Sequence, residues 1–300
     1  MKYTGLLLLV MQTITCSCQT NEKEMFRIIV QPEAEINKTI DFRIYFDSPP
    51  DEGSLQIGTI DGLDTDYNVP IQKIGTEYSF NTYAKPTKLG KIDIPVISVK
   101  LNGTEYKSNR FSINVVETMD VSANSVKTVL MSDKSTYKLQ DTIKLSLYQY
   151  ARFSNVRKHL PEEDDRPPLN DVSMEGEGNE IKINMEKTLY DISGIRSLDD
   201  YLEKNFEIVD FDWNPLDENQ IMEKMDGEYY IRTDIFSIFF IANKKGKYTF
   251  QPSIFEYLIY KSNTDYFERF VPNDDGSYTI TDKGATTQKV TSNTVTITVK

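Results

Sequence analysis

Few residues in this sequence have the chemistry for catalysis or metal binding. His159 is the only histidine. A zinc site or a histidine-activated nucleophile needs partners among Cys and His, and the two cysteines, Cys16 and Cys18, lie far off near the N-terminus. His159 therefore reads as a solvated residue at the lip of an acidic loop. Glu162-Glu163-Asp164-Asp165 offers carboxylates, but calcium takes about six to eight oxygens in a set geometry, which four consecutive acids in a loop do not provide. Asn273-Asp274-Asp275-Gly276 has the composition of a hairpin tip. The single tryptophan, Trp213 in FDWNP (211–215), leaves two readings open. It is a core residue of an alternating strand, or an exposed ring that stacks on a sugar face. No phosphate-cradling glycine loop or nucleophile elbow is present. No catalytic residue, metal ligand or cofactor is indicated, and the chain reads as a non-enzyme.

The cysteines have a different chemistry. MKYTGLLLLVMQTITCSC (1–18) has one Lys, an apolar run, then both cysteines, the order of a secretory signal. The placement looks like a bacterial lipoprotein signal over residues 1–17, in which a Cys after a small residue is acylated and becomes the new N-terminus. Cys18 follows Ser17 and is the first choice; Cys16 after Thr15 is the alternative, and an ordinary cleaved signal is a third reading. The rest of the chain has no Cys, hence no disulfide framework despite export. Residues 18–24 read as a tether. The expected location is the cell envelope, lipid-anchored, on a periplasmic or outer-membrane face. A net charge of −12 repels phosphate backbones, so nucleic acid is not an expected partner.

The elements that must position these residues are strands. FRIIVQ, IDFRIYF, EYSFNTYA, KIDIPVISVK and RFSINVV are short, alternating, and rich in β-branched and aromatic residues. Turn clusters separate them, and Leu101-Asn102-Gly103 is a strong hairpin signal. This pattern predicts an all-β chain of two tandem immunoglobulin-like β-sandwiches. The first spans 25–117, a linker 118–125, and the second 126–300 with an insertion at about 155–225. Within that insertion 159–180 reads as a mobile acidic loop, and SLDDYLEKNF (197–206) as a helix capped by Ser197, with Asp200 at the capping-box position.

Both halves use the same punctuation. KLGKIDIP (88–95) and KKGKYTFQP (244–252) each place a glycine before a strand and a proline after it. Gly90 and Gly246 are expected at turns that need positive φ, and Pro95 and Pro252 where regular pairing stops. Each closing is followed by Tyr-Lys-Ser-Asn, at 106–109 and 260–263, and by alternation toward Val in FSINVV (111–116) and TVTITV (294–299). The repeat is of domain length.

These blocks carry a resemblance. Thr-Lys-Leu-Gly-Lys-Ile-Asp-Ile-Pro (87–95), Leu-Met-Ser-Asp-Lys-Ser-Thr-Tyr-Lys-Leu-Gln-Asp-Thr-Ile-Lys-Leu-Ser-Leu-Tyr (130–148), Gly-Glu-Tyr-Tyr (227–230) and Phe-Ile-Ala-Asn-Lys-Lys-Gly-Lys-Tyr-Thr-Phe-Gln-Pro (240–252) stand in the same order as in the BatD aerotolerance (oxygen tolerance) family of Bacteroidetes, and the likeness covers most of 25–260. Lys38-Thr39 and Gln140-Asp141 stand where the family usually has Gly-Glu. The resemblance implies a non-catalytic envelope protein with immunoglobulin-like domains. Its implied partners are envelope proteins, von Willebrand A-type membrane proteins and a MoxR-type ATPase among their associates. A glycan-binding surface lipoprotein, with Trp213 as the stacking residue, is the alternative.

Overall fold

Alternation sorts the first strands by face. In Ile40–Phe46 the residues Ile40, Phe42, Ile44 and Phe46 are fully buried while those between them are half-exposed. The computed structural model describes residues 25–66, 69–74, 76–108, 110–159, 171–176, 179–184, 189–214 and 219–300. Among the described residues ten strands build the first body: β1 (Phe26–Val30), β2 (Glu33–Glu35), β3 (Ile40–Phe46), β4 (Leu63–Thr65), β5 (Gln72–Ile74), β6 (Glu77–Pro86), β7 (Gly90–Ile94), β8 (Ser98–Leu101), β9 (Thr104–Lys107) and β10 (Phe111–Val116). One sheet runs β1-β3-β6-β4 with β5 also on β6; the other runs β2-β10-β7, and β8-β9 form a hairpin. β2 pairs parallel to β10, whereas the neighbouring pairs are antiparallel. Asn102 and Gly103 both hold positive φ, 51° and 79°, so the Asn-Gly signal does form the two-residue turn of β8-β9. One apolar core, from Phe26 to Val115, lies between the layers.

The second body repeats this plan with additions. Its elements are β11 (Val126–Ser132), β12 (Thr136–Tyr137), β13 (Thr142–Ala151), β14 (Asn155–His159), β15 (Asp171–Gly176), β16 (Asn179–Asn184), α1 (Leu189–Ser193), α2 (Leu198–Asn205), β17 (Phe206–Trp213), β18 (Ile221–Met225), β19 (Glu228–Ala242), β20 (Gly246–Phe250), β21 (Ile254–Tyr260), α3 (Asn263–Phe267), β22 (Phe270–Pro272), β23 (Tyr278–Ile280), β24 (Thr286–Thr291) and β25 (Val295–Val299). The sheet β11-β13-β19-β17, with β18 on β19, matches β1-β3-β6-β4 with β5 on β6. The sheet β12-β25-β20 matches β2-β10-β7, including the parallel pair. The chain is thus two immunoglobulin-like sandwiches, the second with its own core from Met119 to Val299.

The structure departs from the sequence reading in several places. β17 and β18, expected inside the insertion, are strands of the main sheet. β17 is an edge strand with carboxylates at Glu207, Asp210 and Asp212 and a register shift between Ile208 and Asp210, which hides its alternation. Residues 171–176 of the expected mobile loop form β15, which pairs antiparallel with β16 and sets Val172 opposite Ile183 and Met174 opposite Ile181; EIKIN was expected as strand, but the strand read through to Tyr190 gives way to α1 from Leu189. Glu162–Asp165 lie outside the described residues, as do Cys16 and Cys18. The backbone of His159 ends β14 opposite Glu256, rather than lying in a loop. The helix forms and buries Leu198 and Leu202, but Ser197 sits in the left-handed region at φ 56° and makes no side-chain cap. The glycines also split. Gly90 holds φ +90°, while Gly246 does not take positive φ and enters β20 as ordinary strand.

Candidate functional site at the junction of the sandwiches

A charged residue inside an apolar strand needs a partner. Arg27 stands between Phe26 and Ile28 in β1 and is almost wholly buried. Its Nη2 pairs with Glu77 Oε1, its Nη1 lies 3.5 Å from Asp47 Oδ1, and its Nε donates to the Gln220 carbonyl at 3.0 Å. Glu77 and Asp47 belong to the first sandwich; Gln220 precedes β18 of the second. The Gln220 side chain accepts from Arg43 Nη1 at 3.2 Å and donates to Thr233 Oγ1 at 3.0 Å. The outward face of β1 and β3 is thus polar because it meets the second sandwich, not because it meets water.

The same logic runs along the seam. Gln31 is buried and donates to the Lys261 carbonyl at 2.9 Å, while its Oε1 accepts from Ser154 N at 3.1 Å. Ile29, fully buried between Arg27 and Gln31, belongs to neither sandwich core. Asn263 donates to Asp41 Oδ1 at 2.8 Å, accepts from Asn155, and its N–H donates to the Thr39 carbonyl. Lys38 spans Glu35 Oε2 at 2.9 Å and Asp265 Oδ1 at 3.2 Å. Glu35 Oε1 also accepts from Met119 N at 2.8 Å. Burial pushes the Glu35 carboxyl up, but the bonds from Lys38 and the Met119 N–H, with the charges of Lys38 and Lys261, outweigh it and hold the carboxyl below the usual range. Inter-domain interfaces default to relative motion unless well tied; here each buried bond left unmade costs about 1–3 kcal/mol.

The two Tyr-Lys-Ser-Asn motifs stand at non-equivalent positions, and the second lies in this junction. The first ends β9, where Ser108 Oγ accepts from Ile97 N at 2.9 Å. The second follows β21, the counterpart of β8, not of β9. There Ser262 accepts from Asp265 N at 3.1 Å and caps α3. The sequence reading missed α3, although Ser262-x-x-Asp265 is a capping signal. It also missed Arg27, Gln31, Glu35 and Glu77; the readable hint was a charge or amide interrupting FRIIVQ and its partner strands.

A groove of about 610 Å³ opens beside the junction. Phe26, Arg27 and Ile28 of β1 form one wall, Tyr106, Lys107 and Ser108 another, and Met222 and Tyr229 of the second sandwich reach in. Trp213 is not among its lining residues; it is half-buried and packs on the second core. Pro95 and Pro252 follow the ends of β7 and β20. Asn273–Ser277 close the hairpin β22-β23. Burial, opposed by Arg232 and Lys144, raises the Asp234 carboxyl, but Asp234 does not line the groove. Among the described residues no group of three His, Cys, Asp or Glu side chains could hold a metal, and no helix is long and apolar enough to cross a membrane.

A tandem pair of immunoglobulin-like sandwiches locked by a buried polar seam is the class these features define. Residues 13–115, which take in nearly all of the first sandwich, match the family model of the BatD DUF11-like domain. No curated protein matches the sequence. Among solved structures the chain is similar to the adhesin InvE of Yersinia pseudotuberculosis, at 13% identity and TM-score 0.20, over 90% of this chain and 59% of that one. It is similar to the D00-D0 domain of intimin at 10% identity and TM-score 0.19, over 91% and 98% of the two chains. For the collagen adhesin CNA of S. aureus the values are 9% and 0.13, over 92% and 97%. The fold assignment rests on the strand pairing.

Proposed function

We propose that this chain is a non-enzymatic, lipid-anchored envelope protein that acts as an interaction scaffold of the BatD type. The observation that carries the reading is a BatD-like domain over 13–115 fixed to a second sandwich of the same plan by buried polar contacts. Such a pair holds two binding faces at one angle, which suits presentation to other proteins better than turnover. Cys18 is the proposed acylation site, and Cys18→Ser should release the protein from the membrane fraction, with Cys16→Ser leaving it anchored.

The partners proposed are von Willebrand A-type membrane proteins that associate with a MoxR-type ATPase, with oxygen tolerance as the process served. Cross-linking the tagged protein in native envelopes, followed by mass spectrometry, tests this. Recovery of the von Willebrand A-type proteins supports the scaffold. Recovery of polysaccharide-uptake proteins in their place would replace it with glycan binding.

A further inference from the structure

We propose that the groove along β1 and β9 is a binding site for an extended acidic segment of a partner protein, added as a strand to the open edge of β9. This deepens the scaffold reading and rests on it. Side chains alternate along a strand, so one face contributes only every second residue. Here three consecutive residues, Phe26–Ile28, line one wall and three more, Tyr106–Ser108, the other. The groove therefore follows strand edges, not sheet faces. Among the described residues β1 ladders only with β3 and is buried along its length, whereas β9 ladders only with β8 and is largely exposed, so the open edge is that of β9. Open edges offer unpaired backbone N–H and C=O groups to an incoming extended chain.

Charge selects the occupant. The whole chain carries −12, yet among the described residues the groove lining includes Arg27, Lys107 and Arg110 and no carboxylate. Arg27 is neutralised by Glu77 and Asp47. Lys107 is exposed and lies 3.4 Å from an equally exposed Glu105, a weak pair. Arg110 is exposed and makes no ion pair among the described residues. A cationic rim on an acidic protein attracts acidic ligands locally and repels long polyanions globally. Between the cations, Phe26, Phe111, Met222 and Tyr229 give apolar footing. The fitting segment alternates acidic side chains, toward Lys107 and Arg110, with apolar ones toward that footing.

The probe is a fluorescein-labelled, end-blocked octapeptide alternating Asp with Leu and Phe, titrated against the purified protein by anisotropy. It should bind, and added salt should weaken it. Arg110→Glu, at an exposed position, should loosen it about tenfold, and N-methylation of alternate peptide amides should abolish binding. The proposal is overturned if the peptide does not bind, or if its Lys-for-Asp counterpart binds equally. Indifference to Arg110→Glu or to N-methylation overturns it too, as does displacement of the peptide by phosphatidylglycerol vesicles. If the peptide fails while cross-linking still recovers envelope partners, this site falls and the scaffold stands; if both fail, both fall.

Discussion

Arg27 and Glu77 form a buried ion pair on the outer face of the first sandwich. Pairs of this kind add little net stability, but removing one partner strands a charge. Glu77→Ala should cost about 3 kcal/mol, read from the urea midpoint against wild type. Glu35 adds a pH term. Its carboxyl binds a proton less readily folded than unfolded, so its contribution is present above the ordinary carboxylate range and is lost as pH falls through the lowered folded value. The predicted loss of stability on acidification should shrink in Glu35→Gln; an equal acid slope in both proteins would remove Glu35 from the account.

At the scale of elements, the two closing motifs have the same letters and different backbones. Gly90 holds a conformation that costs an L-residue roughly 1–2 kcal/mol, so Gly90→Ala should lower stability by about that much. At Gly246 an added Cβ meets only the Tyr248 ring, at 3.8 Å, so Gly246→Ala should change stability by less than about 0.5 kcal/mol. Thermal unfolding of the two variants separates them. The strands that alternate cleanly, such as β3 and β11, were legible because burial on one face writes itself into every second residue. FEIVDFDW was legible as a strand too, but not as the edge of the main sheet, since a bulge and three carboxylates break the period of β17. α3 is five residues long, too short for helical periodicity, and only its Ser262 cap marked it. The junction was least legible. Its polar residues occupy positions where alternation predicts solvent, and only the second sandwich, distant in sequence, makes them interior.

For the whole molecule the junction decides whether two cores behave as one. Arg27, Gln31 and Asn263 each bond across it, so calorimetry of the intact chain should give one transition. Asn263→Ala, which removes the bonds to Asp41 and Asn155, should split it into two, with the first sandwich and the second melting apart. A single unshifted transition in the variant would mean that the cores are coupled by other contacts. The bulge in β17 bears on company as well as on shape. An edge that carries Glu207, Asp210 and Asp212 and breaks step at Val209 denies a neighbouring copy a continuous ladder. A copy of this chain approaching along β17 meets like charge and a broken register at once, so that edge is guarded against strand addition.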